Sequence, residues 1–201
     1  MPQPDQISAL GVPDETQLDD DLKLIWAKCR EKLGFVPNVY NAYSLKPQRL
    51  RNFMQAFGEV MFAPSGLSKL EREMVAVVVS SANRCYYCLV AHGAEVRRLS
   101  GDPELGEMMA LNYRVAKLDP RQRAMLDFAW KLTTTPWLVD DADRDGLRGL
   151  GLSNEDIFDL AETVGFYNLS NRVASATDMM PNREYHASTR VPADPPTTPP
   201  R

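Results

Sequence analysis

The chain is sparing with sulfur and imidazole: its 201 residues include three cysteines and two histidines. So few cysteines exclude a densely stapled extracellular scaffold. The opening MPQPDQISAL lacks the basic start and apolar block of a secretory signal, so a cytoplasmic protein is expected. Long hydrophobic runs are also missing. The most apolar stretch, MVAVVVSSA, falls far below the roughly 20 residues that span a bilayer, which argues against a membrane protein. Basic excess is absent as well. A formal net charge of −4 leaves no cationic stripe to neutralise phosphates, and general nucleic-acid binding is not expected. Strand signals are weak, because the one β-branched run, VAVVV, lies inside a segment with helical capping. The acidic runs DDD and DDADRD lack the ligand order and glycine of a calcium loop and read as helix starts and solvated faces.

What is present is an ordinary globular mixture, 44% apolar and 25% charged, sufficient for one domain or two small repeats. The pattern is helical nearly throughout. DETQLDDDLKLIWAKCREKLG carries acids early, bases late and Gly34 as its stop. FVPN reads as a turn, and PQRLRNFMQAFGEVMF as the next helix. In GLSKLEREMVAVVVSSA, Ser68 and Glu71 form a capping-box pattern, and Asn83 is expected to cap the helix beginning RCYYCLVAHGAEVRRL. DPELGEMMALNYRVAK, DPRQRAMLDFAWKLTT and VDDADRDGLRGL follow as helices. SNEDIFDLAETVGFYNLSNRVASATDMM is one long helix, or two with a break between Gly165 and Asn171. The tail VPADPPTTPPR cannot be helical and is expected to be a flexible or extended arm.

The chain contains an internal echo. Sliding it so that Gly66-Leu67-Ser68 meets Gly151-Leu152-Ser153 also places Ala76 on Ala161, Asn83 on Asn168 and Ala91 on Ala176. This reads as a diverged duplication of a helical hairpin. Cys85, Cys88 and His92 then fall on Ser170, Val173 and Thr177, so the second copy lacks their chemistry and is expected to complete the core. The resulting division is an arm and first helix (1–34), a repeat with the site (35–118), a degenerate repeat (119–180) and a Pro-rich tail (181–201).

The unusual stretch is NRCYYCLVAH, residues 83 to 92, which holds two of the three cysteines and one histidine. On a helix, Cys85, Cys88 and His92 fall within about 60° of arc, and Cys88 and His92 have the spacing at which side chains touch. An imidazole beside a thiol favours the reactive thiolate. Two cysteines at this spacing also close into a disulfide with little backbone movement, so one sulfur can attack and the other resolve. Which one attacks is left open: the helix dipole favours Cys85 and the imidazole favours Cys88. Glu73 lies between Leu70 and Val77 on the apolar face of the preceding helix. A carboxylate there is costly unless paired or used, and across a hairpin it could reach His92.

The pattern Glu73, Cys85-x-x-Cys88-x-x-x-His92 resembles the alkylhydroperoxidase D and carboxymuconolactone decarboxylase superfamily. LGFVPNVY, PSGLSKLEREMVAVVVSSANRCYYC and FYNLSNRVA resemble its peroxidase-related branch, and the likeness spans roughly residues 33 to 180. The resemblance implies an all-α fold of two related helical repeats with the Cys-x-x-Cys in the first alone. It implies Cys88 as the thiol that attacks a hydroperoxide, Cys85 as the resolving thiol, and His92 and Glu73 as the proton relay. It implies a homo-oligomer recharged by an external dithiol or thiol-protein, with no metal or organic cofactor. Tyr87 stands where the best-known alkylhydroperoxidases carry a second histidine; it cannot act as a base near neutral pH, although it could line the pocket.

Rival readings use the same residues. Cys85, Cys88 and His92 supply three ligands for a non-catalytic zinc module, which would want a fourth. A carboxymuconolactone decarboxylase-like lyase shares the fold without needing the two cysteines, and a general disulfide exchanger needs no peroxide. Cys29, near Trp26 and Leu33, reads as a small core residue; His186 in PNREYHAST reads as exposed and inert.

Overall fold

Side-chain caps at Ser68, Asp102, Asp119, Asp140 and Ser153 start five helices in the computed structural model, which describes residues 3–190. Helix α1 (Asp20–Leu33) ends where Gly34 turns left-handed at φ 82°, a conformation glycine adopts without strain. Helix α2 (Asn38–Tyr43) follows directly on the FVPN turn. Sequence reading missed it, since six residues are too few to establish a periodicity. Helix α3 (Pro47–Phe62) begins with proline in its first turn, and α4 (Lys69–Ala82) opens with the Ser68–Glu71 capping box. Helix α5 (Tyr86–Ser100) closes at Gly101. Helices α6 (Pro103–Asn112), α7 (Pro120–Thr134) and α8 (Asp141–Gly149) start behind Asp102, Asp119 and Asp140. Helix α9 (Asn154–Ala176) starts with the Ser153–Asp156 box, and a short α10 (Glu184–Ala187) comes last. The fold is all-α, with no strand among the described residues.

Helix α4 is the axis of the packing. Every residue from Glu71 to Ser80 is buried, because α5, α6, α7 and α9 all pack on it. That burial explains why the β-branched VAVVV run is helical: packing on every side outweighs a modest intrinsic preference. Helices α5 and α6 approach closely at two glycines. A Cβ on Gly106 would stand 2.8 Å from the Gly93 carbonyl oxygen and 2.9 Å from Arg97 Cγ.

Two sequence expectations change here. Asn83 is the C-cap of α4 and does not cap α5. Between the helices Arg84 turns left-handed (φ 53°) and Cys85 is extended, so the chain reverses before α5 begins. The Asn83 side chain instead donates across to Asn168 at 3.0 Å and Asn171 at 2.9 Å. The second half is also not a hairpin, because α9 runs unbroken through 23 residues. Leu169, at the position matching Arg84, stays helical. One matched pair nonetheless meets, since Asn83 reaches Asn168 across the two segments.

The chain ends fold back together. Met180 N–H donates to Ile7 at 3.0 Å, Asn182 bonds Val36 and Asn38, and Arg97 holds the Tyr185 and Ser188 carbonyls. The proline-rich stretch 191–201 lies outside the described residues.

A Gly106→Ala variant should force α5 and α6 apart and cost about 1–3 kcal/mol, read as a lower urea midpoint. An unchanged midpoint would show that the α5–α6 contact does not position the cysteine-bearing helix.

Candidate active site

The turn between α4 and α5 places the cysteines. The Cys85 amide donates to the Ser80 carbonyl at 2.9 Å, and its own carbonyl accepts from Leu89 at 3.0 Å, starting α5. Cys85 therefore precedes the helix at its N-cap, while Cys88 lies within the first turn. Both are free thiols with 1% exposure, packed with Tyr87, Ala91, Ala174 and Met179. The Cys88 sulfur lies 4.0 Å from Ser170 Oγ on α9.

The two thiols titrate as a pair and shift in opposite directions. The Cys88 thiol and, more weakly than a regular cap bond, the Cys88 backbone N–H stabilise a thiolate on Cys85. Ser175 and His92 add to this against the cost of burial, and the Cys85 thiol is pulled down to about 7. Cys88 moves the other way: its role as donor to Cys85, together with burial, pushes it well above an ordinary thiol.

Glu73 and His92 meet. Glu73 is 5% exposed, points from α4 toward α5, and lies with Oε2 2.6 Å from His92 Nδ1. Tyr167 from α9 stands edge-on to the ring at 4.7 Å, its hydroxyl 3.4 Å from the same nitrogen. Holding Nδ1 in this way leaves Nε2 as the free basic nitrogen. No hydrogen bond joins His92 to either sulfur, so the i, i+4 spacing does not become direct contact between ring and thiol.

Glu73, His92, Tyr167, Phe53, Phe57 and Phe166 border a cavity of about 360 Å³. Neither sulfur lines it. Cys85 borders a separate cavity of about 200 Å³ with Arg84, Ser175 and Asp178. The buried Tyr87 borders both, and its hydroxyl accepts from Val39 N–H at 3.0 Å.

Among the described residues no three His, Cys, Asp or Glu side chains are grouped so that they could hold a metal ion. Cys29 is half-buried against the Leu18, Leu22 and Trp26 cluster. His186 is not an inert surface ring. It is half-buried, 2.9 Å from Gln3 Oε1 and 3.3 Å from the Tyr86 hydroxyl, because the two chain ends fold together there. Sequence reading overlooked Tyr167, Ser170, Asn171 and Ser175, which α9 directs at His92 and the cysteines. The internal echo matched Ser170 to Cys85 and assigned that segment only to the core, whereas in the structure Ser170 lies beside Cys88.

The carboxymuconolactone decarboxylase family profile matches residues 48–105, the segment from α3 through the site. An uncharacterised peroxidase-related protein from Silicibacter sp. TM1040 is 54% identical, over 94% of this chain and 100% of that one, with a TM-score of 0.90. The chain belongs to the AhpD-like/carboxymuconolactone decarboxylase superfamily. Another superfamily member, an alkylhydroperoxidase AhpD-core, peroxidase-related protein from Ralstonia eutropha JMP134, is 41% identical over 95% of this chain and 100% of its own, with a TM-score of 0.91. The debrominase Bmp8 shares the fold at TM-score 0.74 and 19% identity, over 92% of this chain and 97% of its own. Comparison with curated protein sequences gave no significant match. No helix among the described residues is long and apolar enough to cross a membrane.

The ionisation of Cys85 has a measurable consequence within this AhpD-like fold. Its folded value near 7 lies below the roughly 8.5 of an unfolded thiol, so the thiolate stabilises the folded state. That contribution is fully present above the unfolded value and is lost as pH falls through about 7. Ultraviolet thiolate absorbance of the reduced protein should rise with a midpoint near 7 and disappear in Cys85→Ser. The urea midpoint of the wild type, unlike that of Cys85→Ser, should climb over the same interval. A first ionisation that survives Cys85→Ser would assign the thiolate elsewhere.

Proposed function

We propose that this protein is a thiol-dependent peroxidase that reduces hydroperoxides by cycling Cys85 and Cys88 between dithiol and disulfide. The observation that carries the reading is the Glu73–His92 hydrogen bond of 2.6 Å beside a buried, proton-sharing cysteine pair. A buried carboxylate that fixes an imidazole leaves one ring nitrogen to accept and return a proton, while a shared proton between thiols keeps one sulfur nucleophilic. The peroxidase-related relatives at 54% and 41% identity support the same chemistry.

In this cycle the Cys88 thiolate attacks one peroxide oxygen. The S–O bond forms as the O–O bond breaks, the sulfur is oxidised by two electrons, and the alcohol leaves with a proton supplied through His92 and Glu73. Cys85 then attacks the Cys88 sulfenic acid, forming the disulfide and releasing water. An external dithiol or thiol-protein reduces the disulfide and restores both thiols. Apart from the peroxide and that external reductant, the cycle calls on no metal or organic cofactor.

The preferred ionisation of Cys85 favours a second assignment, in which Cys85 attacks and Cys88 resolves. Stopped-flow peroxide consumption and trapping of the sulfenic acid separate the two. Under the first assignment Cys88→Ser abolishes consumption, whereas Cys85→Ser reacts once and accumulates sulfenic acid at Cys88. The opposite pattern exchanges the roles. Wild-type protein that exchanges disulfides yet leaves peroxide untouched would remove the peroxidase reading. Glu73→Gln should slow turnover by about 100-fold while the protein stays folded, and an unchanged rate would remove Glu73 from the relay.

We further propose that the protein is a homo-oligomer, since Leu111, Trp137 and Val115 are 84%, 76% and 66% exposed. Equilibrium sedimentation should return a multiple of the 22.6 kDa chain, and the monomer mass would reject the assembly.

A further inference from the structure

Three tyrosines stand close enough to Cys88 for its charge to raise their phenol pKa: Tyr43, Tyr87 and Tyr167. Two of these hydroxyls are already occupied. Tyr87 accepts from Val39 N–H at 3.0 Å, and Tyr167 lies 3.4 Å from His92 Nδ1. The third is idle. The Tyr43 hydroxyl is shut off from solvent and has no hydrogen-bond partner. Its ring, at the end of α2, lies tilted at 31° against Phe53 with centroids 4.4 Å apart and packs against the cluster containing Cys85 and Cys88. A buried hydroxyl without a partner costs stability, and packing does not require it, because phenylalanine would fill the same space. Burial also pushes the phenol up to about 12, so it keeps its proton and has a hydrogen to donate to an incoming acceptor at neutral pH.

We infer that the Tyr43 hydroxyl is a catalytic hydrogen-bond donor that waits for the oxygen placed on Cys88 during peroxide reduction. The inference rests on the peroxidase reading with Cys88 as the attacking sulfur. In the first step the attacked oxygen keeps its hydrogen and becomes the sulfenic acid hydroxyl, negative charge spreads from sulfur over both peroxide oxygens as the O–O bond breaks, and a donor already in place stabilises it without reorganisation. In the second step Cys85 attacks the Cys88 sulfur, the S–O bond breaks, and that oxygen departs as water after taking a proton. The same donor assists its departure. The reduced protein has no such oxygen, which accounts for a hydroxyl with nothing to bind.

The test is Tyr43→Phe in the full chain, with hydrogen peroxide and cumene hydroperoxide as oxidants. Oxidation should be about 10- to 100-fold slower than wild type, the effect expected of one hydrogen bond to a charged oxygen. The melting temperature of the reduced protein should be equal or higher, since an unpaired buried hydroxyl has been removed. Combined with Cys85→Ser, which leaves the Cys88 sulfenic acid unresolved, Tyr43→Phe should raise the sulfenic acid pKa by about one unit. An unchanged oxidation rate and sulfenic acid pKa would overturn the role of Tyr43 while leaving the peroxidase intact. A lowered melting temperature that accompanies the slower rate, with no change in sulfenic acid pKa, would also overturn it and assign the residue to packing. Wild-type protein that consumes neither oxidant would remove the peroxidase reading itself, and Tyr43→Phe with it.

Discussion

A carboxylate inside the most buried helix is the constraint around which the site is arranged. Helices α5, α6, α7 and α9 pack on α4, so the buried Glu73 carboxylate has to find a polar partner within the protein. His92 bonds it at 2.6 Å from the neighbouring helix, and the Tyr167 hydroxyl from α9 lies 3.4 Å from the same ring nitrogen. The imidazole is thereby fixed in orientation at the edge of an aromatic cavity. The pair depends on α5 running back along α4, which in turn depends on the three-residue reversal at Asn83, Arg84 and Cys85.

That reversal does two things for the sulfurs. It sets Cys85 at the N-cap, where the Cys88 thiol and N–H favour its thiolate, and it places Cys88 one turn on, against α9. Helix α9 is more than a packing partner. It brings Tyr167 to His92, Ser170 to Cys88 and Ser175 to Cys85, while Asn171 ties the α4 end to it through Ser80 and Asn83. The segment that lacks cysteines thus furnishes the polar surroundings in which the cysteines ionise.

Ionisation and access point to different sulfurs. Cys85 is the more acidic thiol and borders the smaller cavity, whereas the aromatic cavity with His92 and Glu73 lies on the far side of Tyr87. A proton shared between two thiols moves with little cost, so the resting thiolate and the attacking thiolate need not be the same atom. Of the two sulfurs only that of Cys85 borders one of these two cavities, and Tyr87 stands between them.

The sequence by itself determined the helical class, most helix starts, the inward-facing Glu73 and the grouping of Cys85, Cys88 and His92. Each of these rests on short-range rules: periodicity, capping boxes and the spacing of residues one turn apart. The superfamily, too, was legible in the Glu–Cys-x-x-Cys–His pattern. Helix α2 was not, being too short to carry a period, nor was the continuity of α9, where no residue between Gly165 and Asn171 signals either outcome. Only the tertiary structure decided that Asn83 bridges to α9, that His92 bonds Glu73 rather than Cys88, and that Tyr43 is left without a partner. These contacts join residues far apart in the chain, and their geometry arises from how whole helices pack, which no local pattern of residues encodes.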